Sequence, residues 1–128
     1  MIDIDKQIAH WRKGSEEDWD VARELIERRR IRHGLFFAHL ALEKILKAHI
    51  CKESIDIAPP IHNLVRLADL SGLAIDEKMR NLFAEVSPFN IETRYPDMLI
   101  PEPTFAEAKT YLDRIEEVIK WLTSQFIV

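Results

Sequence analysis

Trp11, Ser15, Trp19, Ala22 and Ile26 recur at intervals of three or four residues. That spacing puts them on one stripe of a helix running through Gly14 to about Arg30. Ser15 and Asp18 also resemble a capping box and offer a second start at Ser15, but the unbroken stripe favours one long helix. Gly34 then marks the first turn. From Leu35 to Ile50 the chain is apolar over most of a helical circumference, with Phe37, Ala41, Ile45 and Ala48 on one face and Leu42 and Leu46 beside them. A helix this apolar is expected at the centre of the molecule. Its narrower polar arc carries His39, Glu43, Lys44 and Lys47, interspersed with Phe36 and Leu40. Glu43 and Lys47 stand in the favourable order for an ion pair one turn apart.

Pro59-Pro60 closes the next loop, and His62-Asn63 opens a short third helix bearing Leu64, Leu67 and Ala68, stopped by Gly72. Asp76 is an N-cap candidate for a fourth helix whose Met79, Leu82, Phe83 and Val86 share a face. Thr104 and Glu107 form a Thr-x-x-Glu capping box ahead of a last helix striped by Leu112, Ile115, Val118, Ile119, Leu122 and Phe126. Nothing alternates as a strand does, and no segment repeats. The expectation is an all-α, antiparallel four- to five-helix up-and-down bundle in one domain spanning residues 1–128.

Composition adds limits. A chain of 128 residues, 47% hydrophobic and 31% charged, has enough apolar side chains for one core. No apolar run approaches the ~20 residues that cross a bilayer, and the first residues lack a signal peptide's basic start, so a cytoplasmic location is expected. Cys51 is the single cysteine, too solitary for a disulfide or an ordinary zinc site. A net charge of −4 argues against a generic nucleic-acid coat. Arg28-Arg29-Arg30-Ile31-Arg32-His33 is a local basic cluster, read first as a solvated complement to a helix dipole.

One connection stands out. Residues 87–103 are expected to form a long loop holding four of the six prolines, Pro88, Pro96, Pro101 and Pro103, together with Asn90, Glu92, Arg94, Tyr95 and Asp97. Loops beyond ~12–15 residues in a compact domain are usually functional or disordered. Arg94 offers a planar fork of donors for phosphate, and Tyr95 a ring on which a base can stack. Lys44, Lys47 and His62 are further candidates if the loop folds over the second helix. The plainer alternative makes Arg94 an ion-pair partner of Glu43 that pins the loop, Tyr95 a core-edge aromatic and His62 a helix cap. Glu43 and Asp97 also offer a carboxylate pair, which nothing in the sequence brings together. Trp121, off the last helix's main stripe, is a candidate interface aromatic.

Three segments resemble the HEPN family (higher eukaryotes and prokaryotes nucleotide-binding). His39-Leu40-Ala41-Leu42-Glu43-Lys44-Ile45-Leu46-Lys47-Ala48 is similar to its Glu-Lys-x-Leu-Lys-Ala helix, Pro60-Ile61-His62-Asn63-Leu64 to its His-x-Leu helix start, and Arg94-Tyr95-Pro96-Asp97 to its Arg-Tyr-Pro-Asp loop. They occur in the family's order. The resemblance implies a helical bundle that commonly dimerises and, in prokaryotes, often works with a separate minimal nucleotidyltransferase in two-component or toxin–antitoxin modules. It also implies nucleotide binding. No cofactor and no metal is expected.

Two departures accompany it. The family frequently has glutamine where this chain has His39. The Arg-x(4–6)-His motif of the family's RNA-cleaving branch is missing from its late-helix position. Arg28 with His33 and Arg32 with His39 match the spacing but lie around the first turn. The resulting expectation is a nucleotide-binding partner protein without a recognisable catalytic centre. A metal-independent ribonuclease toxin and a non-catalytic interaction scaffold are the alternatives.

Overall fold

The computed structural model describes residues 2–90 and 101–126. Five helices are delimited within the described residues, where no strand occurs: α1 (Ile4–Glu27), α2 (Ile31–Ser54), α3 (Leu64–Leu70), α4 (Glu77–Val86) and α5 (Phe105–Ser124). The bundle expectation holds.

Helix α1 starts earlier than its apolar stripe because Asp3 caps it, accepting from the Lys6 N–H at 3.1 Å. Ser15 is interior and buried, and starts nothing. Its hydroxyl donates instead to the Ala41 carbonyl of α2 at 2.7 Å. The two long helices form an antiparallel hairpin, shown by partners that run in opposite directions: Ile26 faces Gly34, Asp18 faces Lys44, and Trp11 faces Lys47.

Gly34 is not the turn. It lies one turn inside α2, where a Cβ would sit 2.7 Å from Cγ1 and 3.2 Å from the backbone nitrogen of Ile26. Glycine serves here for close helix approach rather than for breaking a helix. The turn is Arg28-Arg29-Arg30, with Arg29 in the left-handed region at φ 64°. Helix α2 continues past Ile50 and stops at Ile55, which also adopts positive φ, 54°, while remaining 75% exposed.

α2 is central, as its composition implied, and packs against α1, α3 and α5. Ala38, Ala41, Leu42, Leu46 and Ala48 are wholly or almost wholly buried. So is most of its polar arc: His39 is 0%, Glu43 4% and Lys47 5% exposed. Asn63 caps α3 through the Arg66 N–H, and Asp76 caps α4 through the Met79 N–H. Gly72 follows α3 at φ 75°. Thr104 and Glu107 complete their reciprocal capping box on α5.

Leu82, Phe83 and Val86 from α4 and Leu112, Ile115, Val118 and Leu122 from α5 close the core. Trp121 is not a free aromatic; it is partly buried against the core margin. Residues 89 and 90 are already helical, so the irregular connection expected from residue 87 is interrupted near its start. No helix of the described chain is long and apolar enough to cross a membrane.

Candidate functional site

Three polar residues at successive turns of a buried helix need internal partners, because each desolvated group left alone costs several kcal/mol. His39, Glu43 and Lys47 lie at i, i+4 and i+8 and share one face of α2. The partner comes from the segment before α3. Ile61 turns back to bond the Pro59 carbonyl at 2.8 Å, and His62, just ahead of the Asn63 cap, is delivered onto Glu43.

Glu43 is the hub. His62 Nδ1 lies 3.1 Å from each carboxylate oxygen, and Lys47 Nζ donates to Oε2 at 3.0 Å. His39 Nε2 donates to the His62 carbonyl at 3.1 Å. A carbonyl only accepts, so the hydrogen of the neutral His39 ring is on Nε2. Its Nδ1 is left bare, buried without a hydrogen-bond partner and 3.7 Å from Glu43 Oε1. Burial is the main cause that lowers the His39 pKa to about 4, so the ring is neutral near pH 7. The Trp11 ring shields the Lys47 ammonium, 5.2 Å from its centroid.

Only His62 reaches solvent, with half of its side chain exposed. With Nδ1 on Glu43, its second nitrogen remains for a ligand or solvent. The ring lines a cleft of about 400 Å3 together with Val65, Ala84, Ser87 and Asn90. Ser87 ties two walls of this cleft: its hydroxyl accepts the Leu64 N–H at 3.1 Å and donates to the Phe83 carbonyl at 2.8 Å. Asn90 is 7% exposed, and its Oδ1 has no hydrogen-bond partner.

The sequence-derived candidates therefore divide. His62, Lys47 and Glu43 are brought together. Lys47 is ion-paired and buried, so it holds Glu43 rather than offering a free cation to phosphate. Lys44 leaves the group: its ammonium pairs with Asp18 of α1 at 2.6 Å. Arg94, Tyr95 and Asp97 lie outside the described residues, and so does the proposed Glu43–Arg94 pair. The Glu43 carboxylate already has Lys47 and His62 as partners.

Of the histidines that match ribonuclease spacing, His39 is sealed from solvent while His33 is exposed at the α1–α2 corner. Burial raises the Cys51 pKa, which disfavours a reactive thiolate. No group of three or more His, Cys, Asp or Glu suited to a metal ion occurs among the described residues. The Glu43–His62 contact escapes the sequence reading. Its signal is a polar stripe on an otherwise apolar helix followed by a histidine beside an N-cap.

Comparison with known proteins agrees with this architecture. No curated protein matches the chain. Among solved structures, TT1696 from Thermus thermophilus superposes with a TM-score of 0.78 at 21% identity, covering 92% of this chain and 97% of that one. ST0689, an archaeal HEPN homologue, superposes with a TM-score of 0.73 at 17% identity, covering 92% and 96%. At these identities the likeness concerns the fold. The HEPN domain family model matches residues 8–125. The hub and its cleft thus sit within a match that spans nearly the whole molecule, and the chain belongs to the HEPN domain family.

Proposed function

We propose that this HEPN protein is a nucleotide-binding partner subunit, with His62 as its phosphate- or base-contacting residue. One observation carries the reading. A buried carboxylate holds a half-exposed imidazole through both of its oxygens at the edge of a cleft. That arrangement fixes the ring's orientation before any ligand arrives, which lowers the ordering cost of binding. Asn90 adds an unpartnered buried acceptor to the cleft wall, suited to an amino or hydroxyl donor of a nucleoside. Arg94, Tyr95 and Asp97 follow Asn90 closely in the chain, and in this proposal they complete the site.

The wider role follows the family resemblance. The protein forms a homodimer in the cytoplasm and works with a minimal nucleotidyltransferase in a two-component, toxin–antitoxin-like module. Light scattering of the purified protein tests the dimer, and co-purification tests the partner.

Calorimetric titration with each ribonucleoside triphosphate tests the site. The expected result is measurable binding, weakened about tenfold or more by His62→Ala and by Arg94→Ala, in keeping with the loss of one charge-assisted contact. Equal, negligible heats from wild type and both variants would remove the nucleotide reading.

A further inference from the structure

Unpartnered polar atoms in the wall of a cleft restrict what it can hold, because a ligand must satisfy them or leave them desolvated. His62 is clamped twice. Its carbonyl accepts from His39 Nε2 at 3.1 Å, and its ring nitrogen Nδ1 lies 3.1 Å from both Glu43 oxygens. A carboxylate already paired with Lys47 only accepts, so the hydrogen of the neutral His62 ring is on Nδ1. Nε2 of this half-exposed ring then presents a lone pair, which is an acceptor.

Asn90 brings a second acceptor to the same wall. Its backbone N–H is held by the Ser87 carbonyl at 3.4 Å, the residue is 7% exposed, and its Oδ1 has no hydrogen-bond partner. The Ser87 hydroxyl is already engaged, accepting from Leu64 and donating to Phe83. Val65, Ala84 and Pro88 add apolar surface, and no lysine or arginine lines the cleft among the described residues. Phosphate oxygens are themselves acceptors and carry charge, so they gain little from lone pairs and apolar walls. A nucleobase fits both, with a flat face for the apolar side chains and N–H donors on its edge.

Resting on the nucleotide-binding reading, we infer that the cleft receives the base and not the phosphates, and favours amino-bearing bases over uracil. Adenine, guanine and cytosine carry an exocyclic amino group whose hydrogens meet His62 Nε2 and Asn90 Oδ1. Uracil turns carbonyls towards the same two acceptors. The fixed tautomer of His62 makes this discrimination possible, and Glu43 is the positioning residue that fixes it.

The test is calorimetric titration of the full chain in mildly alkaline buffer, where imidazole is ordinarily neutral. The probes are the four common ribonucleoside triphosphates, with purine riboside and inosine triphosphates as counterparts of the adenine and guanine forms without the amino group. Uridine triphosphate serves as that counterpart for cytosine. The tightest binder is expected to bear an amino group and to exceed its counterpart by at least about tenfold. His62→Phe keeps a flat ring without an acceptor, and Asn90→Leu removes the amide. Each variant, checked for an unchanged thermal melt, is expected to bring that ratio to within about threefold. The comparison of counterparts on the wild type decides the matter even where a variant fails to fold.

Negligible heat from every triphosphate removes this inference together with the nucleotide reading beneath it. Nucleotide binding in which uridine triphosphate is as tight as the rest overturns the base assignment alone. So does a counterpart that binds as well as its amino-bearing form, or a ratio unchanged in both variants. Displacement of the bound nucleotide by inorganic triphosphate at equal affinity places phosphate in the cleft and likewise overturns it.

Discussion

His39 and Glu43 stand one turn apart on α2 with Nδ1 and Oε1 separated by 3.7 Å, yet no hydrogen bond joins them. The His39 ring commits its hydrogen to the His62 carbonyl, so two acceptors face each other inside the protein. Neutral imidazole is the form that folding selects, and acid opposes that selection.

Stability is therefore expected to fall as the pH is lowered. The folded pKa of His39 is about 4 against an ordinary 6.5, so below 6.5 the unfolded chain takes up a proton that the native state refuses. The His39 contribution is complete above pH 6.5 and is lost progressively towards pH 4. Its full span is about 3 kcal/mol. His49, whose pKa burial also lowers, acts with the same sign. Urea unfolding of wild type and His39→Gln across this window isolates the His39 share. Glutamine, which the resemblance gives as frequent here in the family, keeps a donor for the His62 carbonyl and cannot titrate. Equal pH slopes in the two proteins would contradict the assignment.

Glu43→Ala is expected to destabilise the fold by about 3–5 kcal/mol, because it leaves the Lys47 ammonium buried without its carboxylate. The double substitution Glu43→Leu, Lys47→Met should cost less than Glu43→Ala alone, since it removes both charges and fills the space. Chemical denaturation of the variants decides this. A Glu43→Ala loss below about 1 kcal/mol would mean that solvent enters the hub.

Gly34→Ala runs against helix propensity. An exposed interior glycine gains up to about 1 kcal/mol on becoming alanine. At this crossing the new methyl meets the Ile26 side chain and approaches the Ile26 nitrogen, so a loss of about 1–3 kcal/mol is expected. A thermal melt shifted upwards would disprove the close crossing.

Ile55→Gly should do the reverse. A β-branched residue at φ 54° carries a left-handed penalty of roughly 1–2 kcal/mol, and its side chain is largely exposed. Glycine removes that strain while adding some unfolded-chain entropy, for a net gain of about 1 kcal/mol by equilibrium unfolding. Unchanged or reduced stability would show that the Ile55 side chain contributes an interaction of its own.

The helices are legible in the sequence because the apolar stripes of α1, α4 and α5 have one dominant period, and because Asp76 and Thr104 act through contacts only three residues long. Gly34 misleads because glycine has two uses, turning a chain and admitting a neighbour, and only the position of Ile26 separates them. The hub is half legible. Glu43 and Lys47 follow helical spacing, whereas His62 meets Glu43 through the path of the Pro59–Ile61 segment, which no local rule predicts. Lys44 illustrates the same boundary: its neighbours in sequence suggest a shared arc, and Asp18 on another helix takes its charge.

The Ser15–Ala41 and Asp18–Lys44 contacts have a consequence for the uniqueness of the native state. Apolar side chains tolerate a hairpin that slides by one turn, about 5.4 Å, because leucine and alanine find similar neighbours there. A hydroxyl and a carboxylate do not. Sliding leaves both without their acceptor and cation inside the interface, so the misaligned hairpin is penalised even where its oily surfaces still meet.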